Sequence, residues 1–171
     1  MPYSLTELAD DIRSRLEAAP VSRCAEEICG VLRRALVDES FIAAHLAERQ
    51  PGEPARAVLY EDPKLGFCIC GHVNAGQSIG PPHDHGSSWA IYGQASGITE
   101  MTDWRIVKPA DGEAPALVRP TKTYVLQPGD AHFYDVGDVH SPKRTAPTRL
   151  IRIEGQNLDR VERSKIAVAE E

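Results

Sequence analysis

The chain has 171 residues, enough for one domain whose core needs neither disulfides nor a structural metal. Its net charge is −6 and its basic residues are scattered, which disfavours nucleic acid as a partner. No apolar run approaches the roughly 18 residues of a membrane span, and the first residues lack the basic start and apolar block of a secretion signal. We therefore expect a soluble, cytoplasmic protein with no membrane partner.

Apolar residues at helical spacing predict two helical stretches before residue 51. The first covers residues 4–19, where Leu5, Leu8, Ile12 and Leu16 share a face and Pro20 ends the run. The second runs from about residue 22 to 50 and ends at Pro51. Whether it is one helix, or two helices with a break near residues 38–40, stays open.

The remainder of the chain is typical of a β protein, because glycines and prolines separate short segments rich in β-branched and aromatic residues. Strands are predicted over residues 57–60, 66–73, 89–92, 97–107, 122–126, 131–134 and 148–153. This spacing favours an all-β sandwich or barrel. We expect a single domain over residues 1–171, with a helical segment over about 4–50, a barrel over about 55–157 and a tail that frays after Asn157.

Four cysteines, Cys24, Cys29, Cys68 and Cys70, are expected as reduced thiols because no export signal is recognised. Cys68 and Cys70 would share one strand face. The favoured interpretation is that they are small buried apolar residues and neither metal ligands nor a redox pair.

Five of the six histidines lie between residues 72 and 140, and two of them form the sequence His83-Asp84-His85. In an extended segment His83 and His85 would point to the same side, and imidazole suits Fe, Zn, Ni, Cu or Mn. Such a pair is a weak signal without a third ligand. The segment DVGDVH over residues 135–140 supplies a candidate in His140.

These two segments resemble the two motifs of the cupin superfamily. The first runs from Gly76 through His83 and His85 to Gly93, and the second ends at His140, with Asp135 in place of the motif's proline. The glutamate ligand of ordinary cupins is missing, because Trp89 and Ala90 stand where it would be.

The sequences PPHDHGSSWAIYG and GDVHSPKR look like the cysteine dioxygenase and thiol dioxygenase branch of the cupins, and like predicted metal-dependent enzymes of the double-stranded β-helix superfamily. The resemblance covers about residues 57–157. It implies a mainly β, double-stranded β-helix (cupin) barrel with N-terminal α-helices packed outside. It also implies one Fe(II) ion, with Zn, Ni or Mn as alternatives, held by His83, His85 and His140 beside open positions for a thiolate substrate and dioxygen.

Three further residues are candidates for the same site. His72 matches a pocket-lining position of the thiol dioxygenases and could act as a general base or a fourth ligand, or be an ordinary core histidine. Tyr60 lies on the strand where the family presents a substrate-binding arginine, which Arg56 would match only if the strand slips. Trp89 is either a packing residue or a substrate contact, whereas His132 is interpreted as a structural or surface residue.

The closing strand departs most from the family, because Leu150, Arg152 and Glu154 stand where a Ser-His-Tyr series is expected. Cysteine itself is therefore doubtful as the substrate. If this face points inward, Arg152 offers a planar, charged fork for a substrate carboxylate, and Glu154 could pair with it. If it points outward, the two side chains form a solvated ion pair that contributes little.

Three functions follow from these observations. The first is an Fe(II)-dependent dioxygenase of the thiol dioxygenase type acting on a small anionic or thiol-bearing metabolite. The second is a non-oxidative cupin lyase, isomerase or hydrolase with a Lewis-acid metal. The third is a small-molecule-binding cupin without catalysis. We expect a small-molecule substrate, dioxygen in the first case, and a monomer or homodimer.

Overall fold

A computed structural model describes residues 2–170 of the chain. Three helices come first: α1 (Leu5–Ala18), α2 (Val21–Leu36) and α3 (Glu39–His45). The predicted first helix is confirmed, and Ser4 caps it in a box with Glu7. The second stretch is two helices, because Asp38 is extended and its carboxylate accepts the first amide hydrogen bonds of α3.

Ten strands follow the helices. They are β1 (Arg56–Glu61), β2 (Cys68–Asn74), β3 (Ser78–Ile79), β4 (Ala90–Ser96), β5 (Thr99–Lys108), β6 (Ala116–Leu126), β7 (Ala131–Tyr134), β8 (Val139–Arg144), β9 (Thr148–Glu154) and β10 (Ile166–Val168). One sheet has the order β1-β2-β9-β4-β7 and the other β10-β6-β5-β8-β3. From β2 to β9, each strand is followed in the chain by a strand of the other sheet. The β5–β6 hairpin, whose two strands lie in the same sheet, is the exception. This is the order of an eight-strand jelly roll. The chain is therefore mainly β and folds as a double-stranded β-helix, as predicted.

The helices pack on the outer face of the first sheet, as the resemblance implies. Ile69, Ile91, Ile151 and Ile153 point from that sheet into one apolar cluster with the helical residues. Gly93 permits the close approach of α2, since a Cβ there would lie 2.8 Å from a Leu32 methyl group. Because side chains alternate along a strand, the neighbours of these isoleucines face the barrel interior.

The alternation of side chains along β9, the closing strand, shows which of its faces points into the barrel. Arg152 and Glu154 lie inside the barrel, with 7% and 0% of their surface exposed. The interpretation of the two as a solvated pair is wrong, because Ile151 and Ile153 of the same strand take the helix-covered face.

The end of the chain also differs from expectation. A short 3-10 turn over Leu158–Arg160 leads to β10, which pairs in parallel with β6. The prediction that the tail after Asn157 frays is wrong, because main-chain hydrogen bonds fix β10 at a sheet edge and Ser164 donates its amide proton to Asp84. Within the described residues, no helix is long and apolar enough to cross a membrane.

Candidate metal centre

His83, His85 and His140 come together at one end of the barrel. His83 and His85 lie between β3 and β4, and His140 lies on β8. Reciprocal main-chain hydrogen bonds of 3.0 Å tie His83 to His140. One ring nitrogen of each histidine lies within 4.8 Å of those of the other two. The structure thus brings together the three residues that the resemblance names as ligands.

The protein orients two of these rings through their outer nitrogens. His83 Nδ1 lies 2.9 Å from the carbonyl oxygen of Pro81, and His140 Nδ1 lies 3.1 Å from that of Asp138. A carbonyl oxygen only accepts, so each Nδ1 carries the proton and donates it. Each Nε2 therefore presents a lone pair to the interior, which is the arrangement that fixes imidazole ligands around metals.

Burial keeps the three rings neutral. It lowers the pKa of His83, His85 and His140 below the ordinary value near 6.5, and charge on a neighbouring histidine lowers it further for His85 and His140. The pKa of His140 falls to about 3. Neutral imidazole is the metal-binding form, so the donor set fits a divalent transition metal such as iron, zinc, nickel or manganese.

Tyr92 on β4 completes this cluster, a role that the sequence did not indicate. Its hydroxyl oxygen lies 3.1 Å from His85 Nε2, 3.3 Å from His140 Nε2 and 3.3 Å from Arg152 Nη1. The side chain is buried, with 3% exposed. A signal was available, because Tyr92 is two residues beyond Ala90 and so shares the face on which the missing carboxylate would lie.

Arg152 and Glu154 belong to a buried ion-pair network with Arg56. Arg152 donates from Nε and Nη2 to Glu154 Oε1, at 2.8 and 2.6 Å. Arg56 donates to both oxygens of the same carboxylate, at 3.0 and 2.7 Å. Arg152 therefore binds Glu154 through Nε and Nη2, and only Nη1 points toward Tyr92. This geometry suits Arg152 to hold Tyr92 in place better than to bind the carboxylate of a substrate.

A cavity of about 270 Å³ opens beside the histidines. It is lined by His72, Gly80, Pro81, His83, Tyr92, Pro142, Arg144, Leu150, Arg152 and Arg163. Arg144 and Arg163 make no ion pair with the residues described, and the lining contains three arginines but no Asp or Glu. Sequence reasoning missed both, since it predicted no strand over residues 139–144 and expected the tail to fray.

His72 lines this cavity. Its Nε2 is buried and has no hydrogen-bond partner among the described residues. Burial lowers its pKa well below the ordinary value, and the charges of Arg152 and Arg144 lower it further. A neutral ring with one unpartnered nitrogen can accept a proton or a hydrogen bond from a bound molecule.

Tyr60 lies away from the cluster, although Arg56 of the same strand faces the interior. A β-bulge between Val58 and Tyr60 shifts the register with β2 and so reverses the face of every later residue. The Tyr60 hydroxyl accepts from Arg13 at 2.6 Å and donates to Asp62 at 3.1 Å, against α1. Arg56 therefore faces the interior, where it pairs with Glu154, and Tyr60 does not.

Trp89 and His132 also lie outside the cavity. Trp89 packs against the helix-side apolar cluster, with its ring 6.5 Å from that of Phe133. His132 lies between the rings of Tyr124 and Tyr134, at 4.9 and 4.6 Å. It is not among the three clustered histidines.

No protein-family model matches the chain, and no curated protein matches it. Several solved structures are similar to it. A cupin superfamily protein from Desulfitobacterium hafniense DCB-2 is 12% identical over 66% of this chain and 85% of its own, with a TM-score of 0.47. Hydroquinone 1,2-dioxygenase PnpCD, solved with Cd²⁺ and 4-hydroxybenzonitrile, is 14% identical over 80% and 79%, with a TM-score of 0.49. The DMSP lyase DddQ from Ruegeria pomeroyi DSS-3 is 14% identical over 71% and 57%, with a TM-score of 0.47. The strand order of the two sheets identifies the fold.

Proposed function

We propose that the protein is a mononuclear metal-dependent oxygenase of the thiol dioxygenase type, with Fe(II) as its metal, that acts on a small organic anion. One observation carries the proposal: three histidines whose ring nitrogens converge lie at the edge of a cavity lined by three arginines and no carboxylate. When bound there, a divalent ion would supply open coordination positions for substrate and dioxygen.

The substrate side of the proposal rests on Arg144 and Arg163. A guanidinium group that no carboxylate neutralises attracts and orients an anion, and Arg144 is partly buried with an unpartnered Nε. Pro142 and Leu150 supply apolar walls that exclude water around the bound molecule. A cavity of about 270 Å³ suits a small metabolite.

His72 supplies an acid–base group on the same wall. Its neutral, unpartnered nitrogen can hold a hydrogen bond from the substrate or take its proton. Arg152 and Glu154 keep each other and Tyr92 in place. We therefore expect free cysteine to be a poor substrate, because Arg152 is not free to bind its carboxylate as the cysteine enzymes' arginine does.

Oxygen consumption by the iron-loaded protein tests this proposal. Thiols of different charge are compared: cysteamine, cysteine, 3-mercaptopropionate and mercaptosuccinate. We expect uptake with the anionic thiols and little with the cationic cysteamine, because the cavity is basic. Arg144→Gln should raise the KM for the anionic thiol about tenfold or more, since it removes a charge-assisted hydrogen bond. Arg105→Gln, a change at an exposed arginine on β5, should leave the KM unchanged.

Two results would overturn the proposal. Brisk uptake with cysteamine, unaffected by Arg144→Gln, would show that the basic lining does not select the substrate. Consumption of an anionic substrate without oxygen would replace the oxygenase with a metal-dependent lyase or hydrolase. Equal rates in air and under nitrogen would identify that case.

A further inference from the structure

We propose that Tyr92 is a fourth protein ligand of the metal, bound through its phenolate oxygen. The inference rests on the metal site of the proposed function and extends it to a residue outside the histidine motifs. The phenol proton passes to solvent as the metal–oxygen bond forms, so the ion would be held by three imidazoles and one phenolate.

The distances around the Tyr92 oxygen are those of a shared coordination shell. Two atoms bound to one ion by bonds of about 2.0–2.1 Å lie about 2.8–3.4 Å apart at right-angled or tetrahedral geometry. The Tyr92 oxygen lies 3.1 Å from His85 Nε2 and 3.3 Å from His140 Nε2. Both separations fall within the range for neighbouring ligands of one ion.

The protonation of the groups around the Tyr92 oxygen also suits a metal site. Because His140 Nδ1 donates to a carbonyl oxygen, its Nε2 has only a lone pair to offer. Arg152 Nη1 can only donate, so it takes up a lone pair of the phenol oxygen. His83 Nε2 likewise has only a lone pair to offer, because its Nδ1 donates to the carbonyl oxygen of Pro81. A cation bound to these nitrogens and to the phenol oxygen would satisfy the lone pairs of His83 and His140 together.

The strand fixes Tyr92 in this position. β4 lies between β7 and β9, where Tyr92 pairs with His132 on one side and Arg152 on the other. Ala90, two residues earlier on the same face, has a side chain too short to reach the histidines and leaves the space open. Tyr92 reaches the cluster from one strand position further along.

Arg152 is a positioning residue for this ligand. Its Nη1 lies 3.3 Å from the phenol oxygen, and its guanidinium carbon lies 5.5 Å from the centre of the Tyr92 ring. Glu154 holds Arg152 through Nε and Nη2, which leaves Nη1 directed at Tyr92.

Visible spectroscopy of the iron-loaded protein tests the inference. The protein is loaded with Fe(II) under nitrogen and oxidised with ferricyanide, since phenolate bound to Fe(III) gives a visible charge-transfer band. We expect this band in the wild type, together with phenolate modes in its resonance Raman spectrum. Tyr92→Phe should abolish the band and weaken Fe(II) binding at least about tenfold. Tyr134→Phe is the matched control and should keep the band, because the Tyr134 ring lies 5.2 Å from that of Tyr92 but its hydroxyl pairs with Tyr124.

The outcomes separate this inference from the proposed function. A wild-type protein that binds one equivalent of iron with no phenolate band or Raman mode would overturn the ligand role of Tyr92 and leave the histidine site standing. A band that persists in Tyr92→Phe and disappears in Tyr134→Phe would also overturn it. A wild-type protein that binds no iron would overturn both proposals. The Raman measurement needs only the wild type, so a Tyr92→Phe protein that fails to fold does not prevent a decision.

Discussion

Glu154 lies at the centre of a buried hydrogen-bond network. It accepts hydrogen bonds from Arg56 of β1, from Arg152 of its own strand and from the main-chain amide of Leu158 after the strand ends. Its side chain is completely buried. Removing charge from one member of such a network leaves the others desolvated without a partner.

Glu154→Gln should therefore destabilise the protein strongly. An uncompensated charge in a broken buried ion pair costs about 3–5 kcal/mol of the free energy of unfolding. Urea unfolding followed by circular dichroism measures the change. Glu61→Gln is the control, because Glu61 pairs with Arg160 at the surface, and it should have a much smaller effect. Equal effects of the two substitutions would mean that the buried network contributes no more than a surface pair.

The same network predicts a direction for the pH dependence of stability. Burial alone would raise the pKa of Glu154, but the hydrogen bonds from Arg56 and the charge of Arg152 outweigh it and lower the pKa below its ordinary value near 4.5. The contribution of the carboxylate is therefore fully present above pH 4.5 and is lost as the pH falls through the lowered folded-state pKa. Glu154→Gln should flatten the loss of stability in this acidic range, and an unchanged profile would show that other groups cause it.

Sequence reasoning found the residues of the site that lie in a motif and missed those that depend on tertiary packing. His83, His85 and His140 follow from two local patterns. Tyr60 was misplaced because a one-residue bulge, which leaves no mark in the composition of the strand, reverses its face. Tyr92 shares a strand face with the position of the missing carboxylate, but only its distance from His85 and His140 shows that it reaches the cluster.

The segment after β9 covers the loop that carries His83 and His85. Asp84 Oδ1 accepts from the amide of Gly86 at 3.0 Å and from that of Ser164 at 3.1 Å. Gly86 has a φ of +59°, and a Cβ there would lie 2.2 Å from the Glu162 carbonyl oxygen. The histidine loop and the terminal segment are therefore packed main chain against main chain.

Gly86→Ala should displace the terminal segment and destabilise the protein by about 1–3 kcal/mol. Limited proteolysis, read by mass spectrometry, should show faster cleavage after Leu158. Gly112→Ala is the matched control, because Gly112 has a φ of +54° with no atom within 4 Å of the added Cβ. It carries the backbone strain without the clash. Similar proteolysis of the two variants would contradict the close packing of segment and loop.

The helices and most strands were predictable because their periodicity is local. The parallel pairing of β10 with β6 is not, since the partners are far apart in sequence and Ile166–Val168 is too short to show a pattern. No strand was predicted over β8, which contains Pro142; proline is tolerated in a strand where its missing amide is not needed. Those two errors hid Arg163 and Arg144.

The proposed metal joins parts of the barrel that separate on unfolding. His83 and His85 come from the loop before β4, and His140 comes from β8 of the opposite sheet. A ligand that binds only the folded state stabilises it by about 2.7 kcal/mol at one hundred times its Kd. For a domain of this size that corresponds to a rise in Tm of roughly 5–10 °C. We expect this rise when Fe(II) or Zn²⁺ is added to metal-free protein, and its reversal by EDTA. A Tm independent of metal would contradict a site assembled by folding.

Metal content of purified histidine variants tests the central claim most directly. By elemental analysis, the wild type should carry one transition-metal ion per chain, and His83→Ala, His85→Ala and His140→Ala should each lose most of it. His132→Ala and His45→Ala should stay near the wild-type value, because neither histidine belongs to the cluster. Full metal occupancy in His140→Ala, with loss of metal in His132→Ala, would contradict the assignment of this centre.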